Sequence, residues 1–479
     1  MILPPILPFC APPGQPKNMK HRFARSPIGI LIVCALTLTL NVTACEVGSA
    51  PPAMLHAAGA DSIGVAGASG ASNFAYPSPT PLNHTLPVDL VVQQWLNSVQ
   101  SDQLLIMIDA LTEMRTRHVL SAGFDPTQGI GITTARDYLI AQFHIIHSAV
   151  PLAVWTQPVP ITLNGVTATS DNVVAVAQGS DPKAGVIVVG AHYDSVNADD
   201  FNSADLAAPG ANDNGSGVAA LLEIARLLTG VAPRATLIFV AFTGEETGRQ
   251  GSMAFVQNYL QAQKPPISPR AMFNLDTIGG NRTPDGQPGA DVLRIFSADP
   301  NDSPSRQLAR QVQLIAAAYL TAPQAIVQSS AERAGHFGDQ QSFSAGGNAA
   351  VRLIESAEDP SRQRSARDTL DDIQPAYRMG ATRVALASLA VLADGPDAPD
   401  NVAWHANGTI LNWSPIKGAA GYVVALRRSE SASFDQIVTI GDSPAFIWSG
   451  LTTYAFAAVA AFDGHGRMGP LSPEIALAR

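Results

Sequence analysis

The sequence has no cysteine beyond residue 45: Cys10, Cys34 and Cys45 are the only three in 479 residues. The rest of the chain therefore has no disulfides and no thiolate metal site, so any metal it binds is held by histidine and carboxylate. Lysine/arginine-rich runs are missing as well. With 29 Lys and Arg against 39 Asp and Glu, the formal net charge is −10. Without a concentrated basic face to meet phosphate, no nucleic-acid partner is expected. Charged residues are scarce at 14% while hydrophobic residues reach 46%, which fits globular domains rather than a disordered chain. The length exceeds one ordinary core, so two folded domains behind export and linker segments are expected.

Lys17, Lys20, Arg22 and Arg25 precede an apolar stretch over 28–40 and then Val42-Thr43-Ala44-Cys45. A basic start, an apolar run too short to span as a stable helix, and small residues at its end read as an export signal. The ending resembles a bacterial lipobox, which implies that Cys45 is the lipidated first residue of a cell-surface protein and that the membrane is met only through that lipid. Met19 is then the expected true start; a signal cut elsewhere leaves a secreted protein. Four segments follow: the export signal over 1–45, an Ala/Gly/Ser/Pro-rich tether over 46–87, a main domain over 88–395 and a small domain over 396–479.

Residues 89–118 and 133–147 have helical spacing, with Leu104, Ile108 and Leu111 on one face and Ala135, Tyr138, Leu139 and Phe143 on another. Further on, β-rich runs at 186–189, 236–241, 271–275, 292–296 and 349–354 alternate with helical stretches at 217–228, 252–263, 305–320 and 379–393. This alternation predicts an α/β fold, a mainly parallel (mixed) sheet sandwiched by helices, with ligands at the carboxyl ends of the strands. After the Pro/Asp turn at 396–399 the helices stop. Trp404, Trp413, Tyr422, Phe446, Leu451, Tyr454, Phe456 and Val459 are spread over short alternating strands, predicting a small all-β sandwich. Its entry over 396–402, the central Trp413 and the run over 454–459 resemble a fibronectin type III module, for which a spacer role is expected.

Four motifs carry chemistry. Gly190-Ala191-His192-Tyr193-Asp194-Ser195 directly follows a buried strand and puts His192 at its end, with Asp194 as an acceptor able to orient the imidazole. The glycine-rich loop over 209–217 opens a helix, but its spacing fits no nucleotide fingerprint, and Asp213 within it would repel phosphate while suiting a bridging role between cations. Phe242-Thr243-Gly244-Glu245-Glu246 ends a strand in adjacent carboxylates that can divide the labour of metal ligand and proton acceptor. Phe273-Asn274-Leu275-Asp276 again ends a strand in a carboxylate.

The order His, Asp, Glu-Glu, Asp resembles the co-catalytic zinc aminopeptidase family, which includes bacterial leucyl aminopeptidases and glutamate carboxypeptidase II-like enzymes, over about residues 100–395. The resemblance implies Zn(2+), one or two ions, with Asp213 bridging, His192 and Asp276 completing one metal and Glu246 serving the other. It also implies Glu245 as general base, Asp194 as the group orienting His192, and peptide or protein substrates. The family's fifth ligand, a histidine four residues before an Asp-Thr pair, meets Arg364 ahead of Asp368-Thr369. An arginine stays protonated and has no lone pair to donate. Three outcomes are compatible with it: compensation by His336, although the segment from His336 to Phe343 resembles a substrate-pocket region; an enzyme with one zinc or a weak second ion; and a catalytically dead relative. The leading expectation is an extracytoplasmic metallo-aminopeptidase. The alternatives are a single-zinc glutaminyl cyclase, a carboxypeptidase-like enzyme, and an impaired surface binding protein.

Overall fold

The computed structural model describes residues 85–333, 335–405 and 409–477. The expected export signal, Cys45 and the tether up to residue 84 lie outside them. The expected tether boundary at 87 moves forward, because Leu86 is only 5% exposed and belongs to the main core.

Three helices lead in, α1 (Leu90–Asn97), α2 (Ser101–Thr112) and α3 (Gly131–Ile145), followed by strands β1 (Leu152–Leu163), β2 (Val166–Ala177) and β3 (Val186–His192). Then come α4 (Gly217–Leu228), β4 (Thr236–Phe242), α5 (Gln250–Phe255), β5 (Ala271–Leu275), β6 (Val292–Ser297) and α6 (Pro304–Tyr319). The main domain closes with β7 (Gln324–Val327), α7 (Gln340–Ala345), β8 (Ala350–Glu355) and α8 (Pro375–Asp394). The eight strands form one sheet in the order β1-β2-β4-β3-β5-β8-β6-β7. Its centre, β4-β3-β5-β8, is parallel throughout.

Central strands buried on both faces read as near-continuous apolar runs, and β4 divides its apolar residues between the two faces by alternation. On β4, Leu237, Phe239 and Ala241 join the core beneath α4 and α8, while Ile238, Val240 and Phe242 face α5 and α7. The predicted helix over 252–263 ends as regular α-helix at Phe255 and continues in wider turns to Leu260.

The β1/β2 hairpin was not anticipated. Pro158 and Pro160 inside β1 read against a strand, since proline cannot donate to a ladder. The structure resolves this by placing β1 at the sheet edge, paired only with β2. Asn164 and Gly165, at φ 47° and 84°, form the two-residue turn between the strands.

Beyond α8 two antiparallel sheets follow. One combines β9 (Ala403–Trp404), β10 (Ile410–Asn412) and β13 (Ala445–Ile447), and the other β11 (Gly421–Arg427), β12 (Gln436–Ile440), β14 (Phe456–Phe462) and β15 (Ile475–Ala476). Leu411, Trp413, Tyr422, Val424 and Val459 fill the space between them. The opposite face does not behave as a spacer's would: Val423, Ala425, Ile437, Ala458 and Leu471 belong to the same core as Leu308, Val312 and Ile315 of α6. Glu474 joins the two halves by pairing with Arg310 of α6 at 3.2 Å and with Arg427 of β11.

Candidate metal centre

His192 is the last residue of β3, Glu245 and Glu246 follow β4, and Asp276 follows β5, so three neighbouring parallel strands aim side chains at one point. Asp213 arrives from the loop between β3 and α4. Two glycines let that loop in: Gly210 sits at φ 55°, and a Cβ on Gly217 would lie 2.2 Å from the carbonyl oxygen of Leu275. Any side chain at residue 217 would push the loop off the end of β5.

His192 Nε2 lies 3.2 Å from Asp213 Oδ1 and 3.4 Å from Asp276 Oδ1. These three buried residues offer ligand atoms that all fall within 4.8 Å of one another. The donor set, one imidazole nitrogen and two carboxylate oxygens, fits a zinc-type cation with an open fourth position. The other ring nitrogen, Nδ1, contacts the backbone carbonyl of Asp194 at 3.2 Å, nearer than the Asp194 carboxylate at 3.6 Å. A proton on Nδ1 leaves the Nε2 lone pair facing the two aspartates. The Asp194 carboxylate has a further task, accepting the backbone N–H groups of Glu245 and Glu246 at 3.1 Å each. One residue thus ties the histidine to the Glu-Glu turn.

Burial pushes the Glu245 carboxyl well above its ordinary range, reinforced by Asp276 and Glu246 against the pull of His192. Burial also raises Glu246 to about 7, opposed by Arg364 and reinforced by Asp213. For Asp276, Arg352 and His192 overcome the effect of burial and hold the carboxyl below the usual range. Arg352 Nε stands 3.2 Å from Asp276 Oδ2, which leaves Oδ1 to face His192.

The sequence profile of Peptidase family M28 matches residues 172–389. A "Probable zinc metalloprotease" of Pyricularia oryzae is 30% identical over 425 residues, covering 78% of this chain and 83% of that protein. The chain belongs to peptidase family M28. A second "Probable zinc metalloprotease", from Pyrenophora tritici-repentis, is 28% identical and covers 76% and 91% of the two chains. Among solved structures, the Legionella pneumophila LapA aminopeptidase aligns with a TM-score of 0.48 at 21% identity, over 62% of this chain and 74% of that one. The Tannerella forsythia glutaminyl cyclase aligns at 0.46 and 18%, over 61% and 98%.

Within this M28 chain, His192, Asp213 and Asp276 converge, while Glu246 stands apart from that trio and engages Arg364, whose Nε is 2.7 Å from Glu246 Oε2. His336 is exposed and does not join the ligand group among the described residues. Phe343 is not a pocket residue. It is fully buried on the α5/α7 side of the sheet, its ring 6.1 Å from that of Phe242.

Sequence reasoning missed the residues that hold the site in shape. Asp368, used only as a landmark, accepts the backbone N–H groups of Asn212 at 2.8 Å and Asp213 at 2.9 Å. Asn214 Oδ1 accepts from the N–H groups of Gly217 and Thr277, both at 3.1 Å, stitching the loop to the end of β5. Arg117, fully buried after α2, donates to the carbonyls of Tyr193 at 2.6 Å and Gly210 at 2.9 Å. The one available signal for Asp368 was its place beside the expected ligand position.

Proposed function

We propose that this chain is an exported zinc exopeptidase that removes N-terminal residues from peptides. The observation that carries the reading is the convergence of His192, Asp213 and Asp276 at the carboxyl ends of the central strands, with Glu245 beside them. His192 Nε2 and one oxygen each from Asp213 and Asp276 would hold the ion. Zinc bound there supplies a polarised substrate carbonyl and an acidified water.

Glu245 does the proton work. Its carboxylate accepts no hydrogen bond from the described residues, and burial raises its proton affinity, so it can take a proton from the attacking water and pass it to the departing amine nitrogen. Asp194 keeps the Glu245 backbone and the His192 ring in register. The export-type pattern over residues 17–45 supports substrates outside the cytoplasm, and the lipobox-like ending at Cys45 supports a surface anchor.

Aminoacyl-nitroanilide cleavage should be abolished by Glu245→Gln, with kcat falling about 10²–10⁴-fold while bound zinc is unchanged. Undiminished turnover in that variant would remove Glu245 from the chemistry. A single closed trio also suits a one-zinc glutaminyl cyclase, so the same preparations should be offered peptides beginning with glutamine. Cyclisation without nitroanilide release would decide for that second reading.

A further inference from the structure

We infer that Arg364 occupies the second metal position as a fixed cation, so that this chain holds one zinc ion and a guanidinium group in place of a second. The inference rests on the zinc reading of the His192, Asp213 and Asp276 trio and deepens it.

Two carboxylates of a second site are present. Asp213 turns Oδ1 towards His192 and has Oδ2 free of that contact, and Glu246 is 1% exposed at its side chain. Arg364 Nε lies 2.7 Å from Glu246 Oε2 and 3.9 Å from Asp213 Oδ2. The guanidinium therefore stands against the oxygens that a second ion would need at about 2.0–2.2 Å. No other described His, Cys, Asp or Glu joins a ligand group there, and His336 is exposed.

The backbone holds the arginine in this position. Arg364 adopts φ 54°, a left-handed conformation uncommon for a residue with a side chain. Its carbonyl accepts the N–H of Ala198 at 2.7 Å. Arg362, two residues before it, pairs with Asp372, and the N–H of Asp368 donates to Ser365 at 3.3 Å. The turn is thus tied on both sides of Arg364 and delivers its side chain to Glu246. The Arg364 side chain is 42% exposed, but the two carboxylates it faces, Asp213 and Glu246, are only 7% and 1% exposed; its permanent charge balances theirs, and a divalent ion approaching the same oxygens would meet a like charge.

The test is zinc stoichiometry of the full chain, by elemental analysis after dialysis and by calorimetric titration of the metal-free protein with zinc alone. The expected result is one equivalent for the wild type and two for Arg364→His, with far-UV circular dichroism confirming the fold. Arg364→Gln removes the charge at similar length and guards against misfolding of the histidine variant; a second equivalent in either supports the inference. One equivalent in both variants overturns Arg364 as the group that excludes the second ion. Two equivalents in the wild type overturn the inference while leaving the peptidase reading intact, whereas a wild type that binds no zinc overturns that reading and the inference together.

Discussion

Replacing Asp368 tests whether the loop that carries Asp213 is held by the carboxylate that accepts its two N–H groups. Asp368 is 1% exposed and accepts from Asn212 at 2.8 Å and from Asp213 at 2.9 Å. A buried donor left without a partner costs about 1–3 kcal/mol. Asp368→Asn keeps the shape but turns an NH2 towards one of the donors, so it should cost about 1–3 kcal/mol; Asp368→Ala strands both and should cost about 2–6 kcal/mol. Asp213 is also moved off its heading, and loss of such outer support weakens metal binding about 10–100-fold. Burial raises the Asp368 carboxyl to about 7, with the two N–H bonds opposing and Asp213 reinforcing, so the measurements belong at about pH 8, where it is ionised. Urea unfolding of the metal-free protein gives the first quantity, and chelator competition for zinc the second. If Asp368→Ala unfolds within about 0.5 kcal/mol of wild type, a change typical of an unconstrained surface site, and also binds zinc as tightly, the assigned role is wrong.

Other outcomes follow from the same structure. Glu355 is pushed up to about 8 by burial, opposed by Asn212 and Gly280. A raised folded value means that this group's contribution to stability is full below the ordinary carboxyl range and is lost as pH rises through about 8. Thermal melts of the metal-free protein should therefore decline over that window, and Glu355→Gln should flatten the slope; an unchanged slope refutes the assignment. Glu474→Ala leaves Arg310 and Arg427, 0% and 1% exposed at their side chains, without their shared carboxylate and should cost about 3–5 kcal/mol in one cooperative transition. A separate early transition would mean that the C-terminal sheets are an independent spacer. Phe343→Ala should cost about 3–5 kcal/mol in stability without changing KM, since the ring is in the core; a selective KM change would return it to the substrate pocket.

Three of the candidate site residues were legible because each ends or closely follows a strand whose apolar run is itself readable, and a parallel sheet gathers such ends at one edge. His192, Glu245 and Asp276 needed only the local sequence and that topological rule. The residues that support them were not legible, because each acts across a long separation, and only Asp368 had a marker nearby, the expected ligand position. Arg117 reaches Gly210, Arg352 of β8 pairs with Asp276, and Asp368 holds Asn212 and Asp213. A lone arginine or aspartate reads as a solvated charge, and only the tertiary fold reveals it as buried and paired. The hairpin went unread for a different reason: its Asn164-Gly165 turn is a usable signal, but Pro158 and Pro160 interrupt the strand pattern beside it, and an edge strand tolerates them.

Arg364 lies between these cases. The sequence puts an arginine where the family resemblance leads one to expect a histidine ligand, an expectation from which weaker metal binding or a dead site would follow. The fold adds that the arginine's Nε is 2.7 Å from Glu246 Oε2 and 3.9 Å from Asp213 Oδ2. The position is therefore filled by a charge rather than merely deprived of a donor. Losing a neutral histidine would leave the two carboxylates to repel each other or to draw in any available cation. A guanidinium removes both pressures, and it leaves the trio of His192, Asp213 and Asp276 intact to hold an ion without relying on a second.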